Sequence, residues 1–378
     1  NIVINTTGAV SITGAISTDI GNLTLTNSGG ATFGGAVTLN SGLAISSTTG
    51  TVAFNGTLTT PSLSVAAGSY NVGINATGTS ITNAVTFSNT GTLSLGAAGG
   101  TQTYAGGITA TAPSATTLKG TIQTTNSAMV FGPITLGADT ILNTNASSNT
   151  AGITLGAVTG SSYNLTLSTG NSSAGASVAG SSFSGTGTLA LENIGGTARF
   201  TGGVTAQALT VANSVNNLEL LGTTGTITNA VTFGNTGALT LGTSGGSQTY
   251  TDGLTALAPS AITINGGLTV GGTSSLGDSN TPITLGSATT YTVNTGGALT
   301  IAGAVSGSNT NLTIGGAGNT TISSSIATGS GALTKSGAGI LTLSADNSFT
   351  GTTTINGGIV VIHADAALGT ISTLNAAA

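Results

Sequence analysis

Residues 81–104, ITNAVTFSNTGTLSLGAAGGTQTY, return at 227–250 as ITNAVTFGNTGALTLGTSGGSQTY, with eighteen of the 24 positions identical. The offset of 146 (227 minus 81) runs on to Ala112-Pro113-Ser114 against Ala258-Pro259-Ser260. PITLG at 133–137 then recurs at 282–286, an offset of 149, so three residues have been inserted between these landmarks, as a surface turn tolerates. A fainter echo links GNLTLTNSGG at 21–30 with GTLALENIGG at 187–196. Self-similarity of this kind calls for a fold in which like units stack on like units.

A shorter rhythm runs beneath the duplication. Leu23-Thr24-Leu25, Val85-Thr86-Phe87, Leu93-Ser94-Leu95 and Leu239-Thr240-Leu241 each alternate an apolar residue with a hydroxyl. Period two is the pattern of a strand with one face buried. Val, Ile and Thr lose side-chain freedom in helices and fit pleated strands, while Gly, Asn and Ser supply turns. Hairpin dipeptides are few (Asn55-Gly56, Asn265-Gly266, Asn356-Gly357), which argues against a sandwich or barrel. The expected fold is therefore all-β, an elongated parallel β-helix (β-solenoid). Val, Ile and Leu should form internal ladders, with Thr, Ser and Asn facing out. Large aromatics are expected to fit poorly inside so narrow a core, and only 13 Phe plus Tyr occur. A coil of about 20 residues rising about 4.8 Å would make a rod on the order of 90 Å long. With no amphipathic capping helix at either terminus, the chain is expected to be the middle of a longer rod. The segment 1–298, holding the duplicated stretches 81–114 and 227–260, is read as one repetitive solenoid, and 299–378 as its continuation.

Charge excludes whole classes of function. Only 3% of the 378 residues are charged, against about 25% in ordinary soluble domains, yet 38% are hydrophobic. Low hydrophobicity with high net charge marks disordered chains, and this chain has neither. Lys119, Arg199 and Lys335 are its only basic side chains, too few for a phosphate-binding patch, so nucleic acid is excluded as a partner. The absence of cysteine removes disulfides and thiolate metal sites. The N-terminal NIVINTTGAV lacks the basic start and apolar core of a signal peptide, and apolar runs such as Ile359 to Ile362 are too short to span a bilayer.

Between residues 333 and 369 the chain is LTKSGAGILTLSADNSFTGTTTINGGIVVIHADAALG. This resembles the autotransporter-associated β-strand repeat, whose usual form runs roughly L-T-K-x-G-x-G-T-L-x-L-S-G-x-N-T-Y-T-G-x-T-x-I-x-x-G-T-L. Leu333, Thr334, Lys335, Gly337, Gly339, Leu341, Leu343, Asn347, Phe349, Thr350, Gly351, Thr353, Ile355 and Gly358 match in order. Ile340 replaces the usual Thr, and Ala345-Asp346 precedes Asn347. The resemblance implies a right-handed parallel β-helix from the passenger region of a large, usually Gram-negative, surface protein. It carries no catalytic residue with it. The chain ends in LNAAA without a series of long amphipathic strands, so an outer-membrane translocator would lie outside it.

The reactive side chains form no catalytic, cofactor-binding or metal site that can be read from their spacing. Asp19, Asp139, Glu192, Glu219, Asp252, Asp278, Asp346 and Asp365 are scattered. Glu192 and Glu219, with Arg199 between them in the chain, come nearest to a coil-spaced acid pair, although solvent-facing turn residues explain them as well. His363, the only histidine, has no triad or zinc partners and is read as an exposed strand-end residue. Lys335-Ser336 hints at a phosphate loop, but Thr334 stands where that loop needs Gly. Gly315-Gly316-Ala317-Gly318-Asn319 approaches a calcium nonapeptide, but Thr320 takes the place of the Asp. Nine Asn-x-Ser/Thr sequons, at Asn5, Asn22, Asn55, Asn75, Asn145, Asn164, Asn171, Asn311 and Asn319, are what chance supplies in such a composition.

The expected function is an extracellular structural or adhesive solenoid of a bacterial surface protein, not an enzyme. Its expected partners are further copies of itself or cell-surface, host or matrix components, and it could assemble into filaments, a sheath or a surface layer. A glycan-binding or polysaccharide-active β-helix is the alternative, and would need a groove lined by carboxylates or by Tyr70, Tyr104, Tyr163, Tyr250 and Tyr291. Packing in core or turns is the plainer role for those tyrosines, since Tyr104 and Tyr250 are repeat equivalents. An ice-binding solenoid is a third reading, resting on Thr57 to Thr60 and Thr101-Gln102-Thr103. The copy Ser247-Gln248-Thr249 already breaks that pattern.

Overall fold

A computed structural model describes residues 1–171, 175–370 and 374–376. Among these no residue is helical, and the strand pairings are parallel. The chain divides into two compact units, Asn1–Gly196 and Thr197–Ala378, each holding one copy of the duplicated block. Each is a parallel β-solenoid.

In the first unit, Ile2, Leu23, Leu43 and Leu63 stand in register on consecutive coils, so the early coils are nearly equal in length. A second side is built from Val10–Ile12, Ala31–Phe33, Thr51–Phe54, Asn71–Ile74 and Thr92–Leu95. Val37–Thr38, Leu58–Thr60, Ser80–Ile81 and Thr101–Tyr104 make a third. In the second unit one side is a seven-stranded parallel sheet that runs from Val231–Thr232 to Ile359–Ile362.

The alternating pattern orients the strands as expected. Along Ala261–Val270 every second residue is buried, the inward ones being Ile262, Ile264, Gly266, Leu268 and Val270. Because parallel pairing keeps register, inward residues stack on their own kind: Phe33, Phe54, Ile74, Leu95, Leu118 and Leu136 form one continuous internal file. Each such side chain contributes about 1.5–3 kcal/mol by leaving water.

The aromatic residues depart from expectation. All eight phenylalanines and four of the five tyrosines are almost fully buried, so the narrow core is where the rings reside. The physical reason is the coil spacing. Rings on successive rungs stack face to face, as Phe33 and Phe54 do with centroids 4.7 Å apart, or meet edge to face, as Phe87 does with Tyr104 and Phe233 with Tyr250.

Turns are stapled between coils by Asn side chains. The Asn71 Oδ1 accepts the Thr92 N–H at 2.8 Å, Asn217 accepts that of Ala238 at 2.8 Å, and Asn319 accepts that of Ile340 at 3.0 Å. These amides lie at strand starts, where the ladder provides no acceptor. The residues inserted between the two copies sit at the turn 277–281, which follows Leu276. Only Gly132 separates Phe131, the rung equivalent of Leu276, from Pro133, so the turn is four residues longer in the second copy. The rung pair itself is offset by 145 (276 minus 131), one less than 146, which leaves the net three.

Candidate functional site

Arg199 and Glu219 come together: Nε lies 3.2 Å from Oε2, with both side chains partly exposed. Glu219 is in register with Thr240, whereas Glu192 occupies an exposed strand position in register with Ser168. The guanidinium therefore holds one of the two glutamates. His363 is exposed just after Ile359–Ile362, its N–H bonded to the Leu343 carbonyl at 2.9 Å.

Four of the five tyrosines lie inside the coils, and Tyr250 lines a small cavity with Val204, Ile227 and Gln248. Tyr104 is inside the coil with its hydroxyl donating to Gln102 Oε1 at 2.9 Å, and Gln102 Nε2 donates to the Ile74 and Ala76 carbonyls, each at 2.8 Å. The second copy repeats the device: Tyr250 donates to Gln248 at 3.1 Å, and Gln248 to the Leu220 carbonyl at 2.7 Å. Burial pushes both phenols up, as it does for Tyr291, and Tyr70 is pushed up to about 12. Only Tyr163 has a substantial exposed surface.

Lys335 is enclosed, 2% exposed, with its ammonium donating to the carbonyls of Ser336 and Gly337 at 2.8 Å and of Gly357 at 3.3 Å. Desolvation pulls it below the usual lysine range. The cation thus closes two adjacent turns through their carbonyls. Asn319 has its Oδ1 on the Ile340 N–H, and Thr320 is buried, so the glycine run before them presents no calcium-binding pair. Among the described residues no group of three or more metal-ligating side chains occurs. The sequon at Asn171 continues into residues 172–174, outside the described residues.

Threonines form single outward files. Thr232, Thr255, Ser275, Thr300, Thr321 and Thr342 follow one another in register on the seven-stranded sheet. The neighbouring outward file, which includes Thr273, Ala298 and Asn319, breaks the pairing. In the first unit Thr101 and Thr103 face outward together, but they are followed by Thr121 with Gln123, then by Ile141 with Asn143. The doubled hydroxyl row of an ice-binding face is absent at these positions.

Two clefts overlap in place, one in each unit, each starting at glycines of a duplicated stretch (Gly99, Gly245) and extending beyond it. On each, a strand bulges: Leu118 to Gly120 spans Leu136 to Thr140, and Ile264 to Gly266 spans Leu285 to Thr289. The bulge is held identically, with Thr140 Oγ1 donating to the Ala138 carbonyl at 2.9 Å and Thr289 Oγ1 to that of Ser287 at 2.9 Å. Glycine is required at the corner. Gly120 and Gly266 have φ of 66° and 78°, and a Cβ on either would sit within 2.3–2.6 Å of carbonyl oxygens. The resulting clefts enclose about 410 Å3 in the first unit and about 500 Å3 in the second.

Their linings differ. Thr121, Asp139 and Ile141 of the first cleft correspond to Gly267, Ala288 and Thr290 of the second. Asp139 accepts two hydrogen bonds from Asn164, from its N–H at 2.8 Å and its Nδ2 at 3.2 Å, and Asn164 Oδ1 in turn accepts the Thr188 N–H at 2.8 Å. Sequence reasoning missed these clefts. The signal was a pair of glycines with a third one coil further on, Gly99-Gly100 with Gly120 and Gly245-Gly246 with Gly266.

Residues 333–362 match the family described as passenger-associated-transport-repeat. The match covers the segment whose Lys335 closes the turns and whose strand Leu333–Lys335 stacks between Leu312–Gly316 and Thr353–Ile355. No curated protein and no solved structure matches the chain.

Proposed function

We propose that a chain carrying a passenger-associated repeat in register with its own solenoid serves as a structural and adhesive segment of a secreted or cell-surface bacterial protein, without catalytic activity. The observation that carries this reading is continuity. The strands of the matched repeat extend the same parallel ladders as the strands before them, so the repeat is one more set of coils and not a separate module. The ionisable groups support a non-catalytic role, since Glu219 is paired with Arg199 and Lys335 is committed to carbonyls.

Partners in this reading are surfaces, matrix components or further copies of the chain. Three basic and eight acidic residues leave attraction to hydroxyl, amide and apolar contacts, with little dependence on salt. Beads coated with the purified chain, tested on host cells, matrix proteins and bare surfaces, provide the assay, with light scattering to follow self-association. Retention or association should persist at about 1 M salt. A chain that neither adheres nor associates under any of these conditions, or that turns over a glycan, defeats the proposal.

A further inference from the structure

We infer that the cleft built on Asp139, Asn164, Thr121, Thr166 and Ile141 is a binding site for a neutral saccharide, and that its twin in the second unit is not. The inference rests on the adhesive reading above and gives it a ligand class.

The fold builds both clefts on the same bulge and the same corner glycine, although the second extends toward Ser244, Ser247 and Thr292 where the first reaches Asn164 and Thr166. Lining separates them. The first cleft holds a carboxylate fixed by two donors from Asn164, leaving further lone pairs on both oxygens free to accept from ligand hydroxyls. Thr121 and Thr166 add hydroxyls that both donate and accept, and Asn164 adds an amide. Ile141 is 41% exposed and supplies an apolar wall beside these polar groups. Oriented acceptors next to an apolar surface suit a ligand with hydroxyls along its edges and C–H groups on its faces, which is the chemistry of a sugar ring. No cationic side chain lines the cleft, so an anionic ligand has no partner there. A lone carboxylate also falls well short of the six to eight oxygens that a calcium ion takes. The cleft's volume lies within the range of small-ligand sites. In the second cleft Ala288 and Thr290 remove the carboxylate and the apolar wall together.

The twin also supplies safe substitutions, because Asp139→Ala and Ile141→Thr install residues that the second copy already carries at those places. Methyl NMR of the full chain, with the Ile141 signal assigned from Ile141→Val, would be recorded with cellotetraose, maltotetraose, galactobiose and chitotetraose in turn. At least one should move Ile141 in a saturable manner and leave Thr290 in place, and Asp139→Ala should weaken that binding about tenfold or more. Silence from all four sugars up to about 10 mM, equal binding by Asp139→Ala, or equal shifts at Thr290 would overturn the inference. So would saturable movement with calcium chloride alone. Bead adhesion run in parallel separates the two readings. Adhesion without sugar binding removes the site and leaves the adhesive role, whereas Asp139-dependent sugar binding by a chain that adheres to nothing does the reverse.

Discussion

Phe33 and Phe54 stack one coil above the other, ring centroids 4.7 Å apart and planes 3° from parallel, in a file that runs from Ile12 through them to Ile74 and Leu95. Because each ring is walled by the rungs above and below it, neither can be trimmed without leaving a void. Phe54→Ala should lower stability by about 3–5 kcal/mol and Phe54→Leu by about 1.5 kcal/mol or less, as read from urea unfolding midpoints.

Gln102 and Gln248 make parallel predictions in the two copies. Replacing Gln248 with Ala strands the Tyr250 hydroxyl inside the coil and removes one of two donors to the Leu220 carbonyl, which keeps the Gly242 N–H at 2.8 Å, at a cost of about 1–3 kcal/mol. Pairing Gln248→Ala with Tyr250→Phe should recover part of the loss, since the stranded hydroxyl is gone. A double-mutant cycle measures the coupling.

Alkaline pH should unfold the protein. Tyr70, Tyr104, Tyr250 and Tyr291 have phenols raised above their ordinary value by burial, so in the unfolded chain they ionise first. Their contribution is complete below about pH 10 and is lost as pH rises toward the folded values, by up to about 1.4 kcal/mol per pH unit for each phenol. Lys335 acts in the opposite sense: its depressed value makes folding more favourable as pH climbs toward 10.5, and that gain ends where the phenol loss begins. Thermal melts from about pH 8 to about pH 12 should show a level stretch or a slight rise, then a steep fall. A midpoint unchanged at the alkaline end would contradict the buried phenols.

Lys335→Met keeps an unbranched side chain one atom shorter and removes the donor to three carbonyls. Relief of the desolvation that depresses the lysine's pKa favours methionine, while the Ser336, Gly337 and Gly357 carbonyls lose this donor, so a net loss of about 1–3 kcal/mol is expected. Hydrogen exchange gives the local readout, because the Asn356 N–H bonds to the Lys335 carbonyl at 2.8 Å and should lose protection.

Gly339 tests how tightly the coils of the matched repeat approach one another. A Cβ there would lie 1.9 Å from the Gly318 carbonyl oxygen. Gly339→Ala should force the two coils apart, lowering the unfolding midpoint by more than substitution of Gly99, whose surroundings are open but whose φ is 69°.

Much of the fold was written in the chain. Apolar-hydroxyl alternation marked both the strands and the side of each that turns inward, as the burial along Ala261–Val270 bears out. Both are local properties of a period-two backbone, so they could be read without knowing what a strand would meet. The resemblance at 333–369 was legible for the same reason, and residues 333–362 match the passenger repeat.

What a residue meets one coil away could not be read in this manner. The stretch of chain between spatial neighbours is shorter from Thr116 to Ile134 than from Thr140 to Leu165, and these offsets are set by turns that carry no periodic signal. That is why the pairing of Glu219 with Arg199, the stacking of rings expected to be too large, and the bulge that sets Asp139 beside Asn164 emerged only from the assembled coils. The sequence by itself determined the strand and its buried face, because each follows from backbone geometry repeated every two residues. Tertiary structure decided the register between coils, and with it which side chains meet in each of the two clefts.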